Sequence, residues 1–249
     1  MNLNKKLIIV SNEKISINED KICCENIDLK SIPEGLNKNF NVSLISKKSN
    51  IEYFHQINLK KIKSANNLFS YLFYIFKTLK LKNTNYLIIS ITPYTFFAFL
   101  ILFIFRKKIY VYLRSNGYEE YKNILGFFGP FLYHIMFTVI SWKATLISCR
   151  SHLLNGKFGK IVSPSQLSEK WFSSHRDPDL KKIELLYVGR IRVEKGIFSL
   201  LKIFQKLKMD ANLSIVGVGK NNMRDKINQK NVNLVDFENK NDSIIKMYD

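Results

Sequence analysis

At 249 residues and 29.2 kDa the chain can bury a substantial core, and its length fits two domains of roughly 100 to 150 residues. Apolar residues make up 46% and aromatics 13%, which excludes a disordered polyelectrolyte. The 39 Lys+Arg against 20 Asp+Glu, a net +19, favour anionic partners such as phosphates or an acidic membrane face, although the lysines are spread along the chain as an AT-biased genome would also leave them.

The first apolar run, Leu7 to Val10, is too short for a signal-peptide core and reads as a buried strand. Cys23, Cys24 and Cys149 form neither a disulfide framework nor a paired metal motif, so a reducing, cytoplasmic compartment is expected. Further strands are predicted at Val42 to Ile45, Tyr86 to Ile91, Ile109 to Leu113 and Leu146 to Ser148, apolar on both faces as covered parallel strands are. Helical patterns at 67–80 and 94–105 separate them, which gives a βαβ rhythm and a doubly wound sheet.

Residues Tyr86 to Phe105 carry no charge and by length alone could cross a bilayer. Pro93 divides the run into a strand and a helical piece of about 12 residues, which spans about 18 Å against a hydrocarbon core of about 30 Å. A buried strand, a proline turn and a buried helix are therefore expected. The aromatic segment 127–143 reads either as a core helix begun by Pro130 or as a helix docked shallowly on a membrane, with Trp142 and Lys143 near one end. After Ile109 to Leu113, Arg114 and Asn116 fall at a carboxyl strand end with Gly117 as the turn residue, and they are candidate cleft contacts. Ser165 is a weaker one, in a loop entering a short helix. The four histidines show no metal-ligand spacing.

The polar stretch 173–182 with Pro178 reads as a linker, which divides the chain into an N-terminal domain over 1–178 and a C-terminal one over 179–249. A second rhythm follows: strand Ile183 to Val188, helix Gly196 to Lys208, strand Leu213 to Val216, a helix over 222–230, strand Val232 to Val235 and the start of another helix. In LLYVGRIRVEKG (185–196) a strand ends at Gly189, and Arg190 and Lys195 flank the turn before the helix. First-turn amides and the helix dipole favour an anion there, and the two cations suit a diphosphate. Gly196 opens the helix, while Gly217 and Gly219 after the next strand let backbone approach a ligand.

The segments YVGRIRVEKG, LLKIF, LSIVGVGK, NVNLVDF and IIKMYD together resemble the nucleotide-sugar-binding domain of the family 4 glycosyltransferases of GT-B fold. The likeness is specific over 183–249 and architectural over 1–182. It implies an α/β, GT-B-like chain of two Rossmann-like parallel-sheet domains, the second incomplete because the chain ends at Asp249 before the pair of glutamates usual in the family. It also implies that Arg190 and Lys195 hold the donor diphosphate, with no catalytic role assigned to Glu194 and no protein nucleophile. The implied reaction is retaining transfer of a sugar from a nucleoside-diphosphate sugar to a glycan or lipid-linked acceptor at the inner membrane face, with no metal or other cofactor. Two departures stand out: VSNEKISINED after the first strand lacks the family's glycines, and YLRSNGYEEY stands where many members place a histidine. A non-catalytic nucleotide-binding or interaction module is the alternative of a different class. Nucleic-acid binding has only the net charge behind it, because no docking motif is present and the aromatics sit apart from the cations.

Overall fold

A computed structural model describes residues 5–18, 21–53, 55–163, 183–189, 191, 195–207, 210–217, 227 and 230–235. The chain forms two compact units, residues 1–166 and 167–249. The expected domain boundary at 178/179 lies outside the described residues, as do the predicted helix over 222–230, apart from residues 227 and 230, and the C-terminal helix.

The described part of the first unit contains a nine-stranded sheet. Its parallel ladder runs β5 (Ile62–Ala65), β3 (Asn41–Lys48), β1 (Lys6–Asn18), β6 (Thr84–Ile89), β7 (Lys108–Leu113), β8 (Thr145–Ser148) and β9 (Gly159–Ile161). Strand order reverses direction at β1, which lies between β3 and β6, and open α/β sheets bind ligands at the carboxyl ends of such a switch point. β2 (Lys21–Cys24) pairs antiparallel with the end of β1 and with β4 (His55–Gln56).

Alternating residues build two cores. Ile8, Val10, Tyr86, Ile88, Ile109 and Val111 point to one face, and Leu7, Ile9, Leu87, Ile89 and Tyr112 to the other. The second face is covered by α1 (Ile27–Asn37) through Leu29. The first face is covered by α2 (Leu68–Thr78), α3 (Pro93–Ile104) and α5 (Phe128–Lys143), with α3 touching both of the others. Both α2 and α3 start at reciprocal capping boxes, Asn67 with Ser70 and Thr92 with Thr95, and Pro93 takes the first-turn position where its missing N–H costs nothing. Among the described residues no helix is long and apolar enough to cross a membrane.

Three local expectations need correction. β1 does not end at Val10: after a register shift between Val10 and Lys14 it continues to Asn18, where Ile15 and Ile17 restore strand alternation. As far as Asn18, the glycine-free stretch after the first strand is thus strand, not loop. Gly117 is not a turn residue but the buried first residue of α4 (Gly117–Leu125), where a Cβ would lie 2.0 Å from the Tyr133 ring. Pro130 sits inside the first turn of α5, which begins at Phe128.

Tyr71 of α2 is fully buried and donates its phenol to the Ser11 carbonyl at 3.0 Å, which ties the helix layer to the middle of β1 at its register shift. Burial pushes that phenol far above its usual pKa, so it stays a donor at any physiological pH. Tyr71→Phe should lower stability by about 1 to 2 kcal/mol in urea unfolding, because the Ser11 carbonyl would lose its partner.

The second unit contains a parallel sheet of β10 (Ile183–Val188), β11 (Ala211–Val216) and β12 (Val232–Val235). α6 (Ile197–Phe204) packs on it through Ile197, Leu201 and Phe204, against Leu213 and Ile215.

Candidate functional site

In the second unit, β10, α6 and β11 form a parallel crossover, so the chain leaves β10 and enters α6 at the carboxyl edge of the sheet. Gly196 is the N-cap in the left-handed region, φ 73°, and brings no side-chain cap to the first-turn amides. Lys195 beside it is exposed. Gly189 N–H donates to the Val216 carbonyl at 2.9 Å. A Cβ on Gly217 would stand 1.9 Å from the Gly189 carbonyl oxygen, so the two strand ends touch backbone to backbone. Glycines and a helix start thus form one short edge with a cation on it, an arrangement suited to an anion. Arg190, Glu194, Gly219 and Ser165 lie outside the described residues.

The first unit carries a second cluster at its own carboxyl edge. Arg114, just after β7, pairs with Glu13 in the irregular part of β1 and lies 3.5 Å from Asp28 in the first turn of α1. Asn26, the N-cap of α1, accepts from Asp28 N–H and donates to Glu13 at 3.3 Å. Burial raises the Glu13 carboxyl above its ordinary pKa, and the Arg114 guanidinium offsets this only in part. Asn12 Oδ1, Glu13 Oε2 and Arg114 Nη1 are buried without a hydrogen-bond partner among the described residues. Such atoms are costly to leave unmet, and together they offer two acceptors and, beside the Asp28 ion pair, a donor to a polar group.

On the neighbouring strand pair, Lys14 lies in register with Lys47. Lys47 sits 4.2 Å from the centre of the Tyr94 ring, and burial followed by the Lys14 charge lowers its pKa. Two cations side by side favour a negative group near them.

Of the two described cleft candidates in this unit, Arg114 joins the cluster. The Asn116 side chain accepts from Tyr118 N–H at 3.2 Å as the N-cap of α4. Sequence reasoning missed Glu13, Asp28 and Lys47. The available signal was the renewed alternation of Ile15 and Ile17, which makes Glu13 part of a strand.

No protein-family model matches the chain, and no curated protein does. Solved structures do. A protein described as a UDP-N-acetylglucosamine 2-epimerase from Listeria monocytogenes superposes with a TM-score of 0.51 at 13% identity, over 98% of this chain and 70% of its own. An alpha,alpha-trehalose 6-phosphate synthase from Burkholderia multivorans gives 0.50 at 8% identity, over 98% and 74%. An alpha-glucosyltransferase in complex with UDP and a 13-mer DNA gives 0.53 at 12% identity, over 97% and 70%. At these identities the likeness is one of fold: the chain has the mixed α/β, GT-B-like fold with Rossmann-like parallel sheets.

Proposed function

We propose that the chain is a retaining, hexosyltransferase-type glycosyltransferase of the family 4 kind, which moves a sugar from a nucleoside-diphosphate sugar to a glycan or lipid-linked acceptor at the cytoplasmic face of a membrane. The observation that carries this reading is the carboxyl edge of the second unit, where Lys195, the Gly196-capped start of α6 and the abutting Gly189 and Gly217 come together. A departing diphosphate gathers negative charge in the transition state, and fixed amides with a cation stabilise it there without reorganising. Arg190, next in sequence to Gly189, supplies the second cation in this reading. The fold likeness to a glucosyltransferase crystallised with UDP supports a nucleotide donor. In the first unit, Arg114 and Glu13 would hold hydroxyls of donor or acceptor. No metal or other cofactor is assigned a role.

The test is ligand-induced thermal stabilisation with UDP, GDP and their sugars. A ligand at a hundred times its Kd should stabilise the chain by about 2.7 kcal/mol. Arg190→Ala and Lys195→Ala should each remove most of that gain. Stabilisation that survives both substitutions would overturn the site. Binding with no sugar transfer to any acceptor would favour the non-catalytic nucleotide-binding module instead.

A further inference from the structure

The outward face of the helix layer on the first unit is apolar where a solvated surface should be polar. In α2, Phe69, Phe73 and Phe76 are exposed, Phe69 at 85%. In α3, Phe97, Phe103 and Ile104 are exposed. In α5 the series Phe128, Phe131, Ile135, Val139 and Trp142 recurs at helical spacing on the side away from the sheet, with Phe131 67% and Trp142 77% exposed. The three helices carry no carboxylate at all, and their only charged side chains are Lys77 and Lys143. Isolated exposed apolar residues are ordinary, but a face running across three adjacent helices is a binding surface.

The amino edge of the sheet gives this face a charged rim. A hollow of about 450 Å³ opens between the end of α2, the end of α3 and the starts of β6 and β7. Lys80, Lys82, Arg106, Lys107 and Lys108 line it, together with Asn83. Lys107 donates to the Leu79 carbonyl at 2.6 Å, which fixes its ammonium in the wall. The Phe76 and Phe105 rings meet edge-on near the helix ends that border the hollow, 6.1 Å between centres, so apolar face and cationic rim adjoin. Trp142 and Lys143 close α5 just before β8 begins, at this same edge.

We propose that the outer face of α2, α3 and α5 docks onto a bilayer of anionic phospholipid, the aromatic side chains entering the interface and the Lys80–Lys108 rim meeting the lipid phosphates. Aromatic residues favour the headgroup level, and clustered cations beside them add attraction to acidic lipids. Charge decides between occupants. A second copy would present the same carboxylate-free face, so neither set of rim cations would meet a counter-charge on it. An anionic bilayer supplies apolar depth and phosphate together. The proposal rests on the membrane-side acceptor reading above and gives it a surface. The cationic rim lies at the amino edge of the sheet, the opposite edge from the Arg114 cluster that would bind sugar hydroxyls.

The test is partition of the full chain onto vesicles of pure phosphatidylcholine and onto vesicles with added phosphatidylglycerol. Trp171→Phe leaves Trp142 as the one fluorescent tryptophan of the two in the chain. Binding should require the anionic lipid and weaken as salt is raised. Trp142 emission should shift to the blue and be quenched by brominated lipid tails. The Lys80→Ala, Lys82→Ala, Arg106→Ala triple variant should lose on the order of a hundredfold in partition. Phe131→Ser with Phe73→Ser should lose at least about tenfold. These side chains are exposed, so UDP-induced thermal stabilisation is kept in both variants, which separates this proposal from the donor-site reading. Equal binding to neutral and acidic vesicles, partition indifferent to both sets of substitutions, or a dimer that the phenylalanine substitutions dissolve would overturn it.

Discussion

Gly217→Ala should destabilise the second unit by about 3 kcal/mol, at the upper end of what a misplaced side chain costs. The new Cβ would sit 1.9 Å from a backbone oxygen, that of Gly189, and no rotamer change can relieve a clash with backbone. Relief requires β10 and β11 to part at their carboxyl ends, which strains the Gly189 N–H to Val216 bond as well. Because the same edge forms the proposed diphosphate site, nucleotide-induced stabilisation should vanish along with stability. Gly196→Ala is the control. Nothing lies within 4 Å of its added Cβ, so the left-handed backbone alone is strained and the cost should be about 1 kcal/mol. Denaturant unfolding monitored by far-UV circular dichroism separates the two. If Gly217→Ala unfolds with Gly196→Ala, the backbone contact is not what makes glycine necessary.

Arg114→Met should cost about 2 to 3 kcal/mol, somewhat less than the 3 to 5 typical of breaking a fully buried pair, since the side chains keep between a fifth and a quarter of their exposure. The loss comes mainly from Glu13, left buried with no guanidinium. The folded-state pKa of Glu13 lies above its unfolded value, so the native state holds the proton more tightly, and stability falls as pH rises through that window from the ordinary carboxylate range upward. Taking away Arg114 removes the influence that lowers this pKa, which extends the window to higher pH. The deficit of the variant should therefore be small near about pH 4 and grow toward about pH 7. Urea unfolding at both pH values measures it. The double variant Glu13→Gln, Arg114→Met should regain most of the loss at the higher pH. A deficit independent of pH would mean that Glu13 is not the stranded charge.

The parallel core was readable because each of its strands announces itself alone. Leu7 to Val10, Tyr86 to Ile89 and Val111 to Leu113 are apolar on both faces, and Pro93 marks where strand gives way to helix. What the sequence hid depends on partners. β1 beyond Val10 looks like a polar loop because Asn12, Glu13 and Lys14 interrupt its alternation, and only β2 and β3 beside it keep it extended. α1 contains Pro33 and α4 begins on a glycine, both ordinarily signs against a helix; the Asn26 and Asn116 caps and the close packing of Gly117 on Tyr133 override them. The glycine-bounded edge of the second unit, proposed above as the donor site, was legible as a strand end and a helix start because glycine spacing is local. The Arg114 cluster was only half legible, because Glu13 and Asp28 reach it from separate elements, and no single window of sequence contains all three.

β1 also sets the order in which the first unit can form. The strand precedes both of its parallel neighbours in the chain: Lys6 faces Asn41 on one flank and Thr84 on the other. Only β2 is close in sequence; the two parallel neighbours lie farther along the chain, and parallel ladders across such gaps must meet the closure entropy before any contact rewards it. Refolding of the unit should accordingly be slow for its size, with Leu7 to Val10 protected from hydrogen exchange later than Ile15 to Asn18, which pair locally with β2.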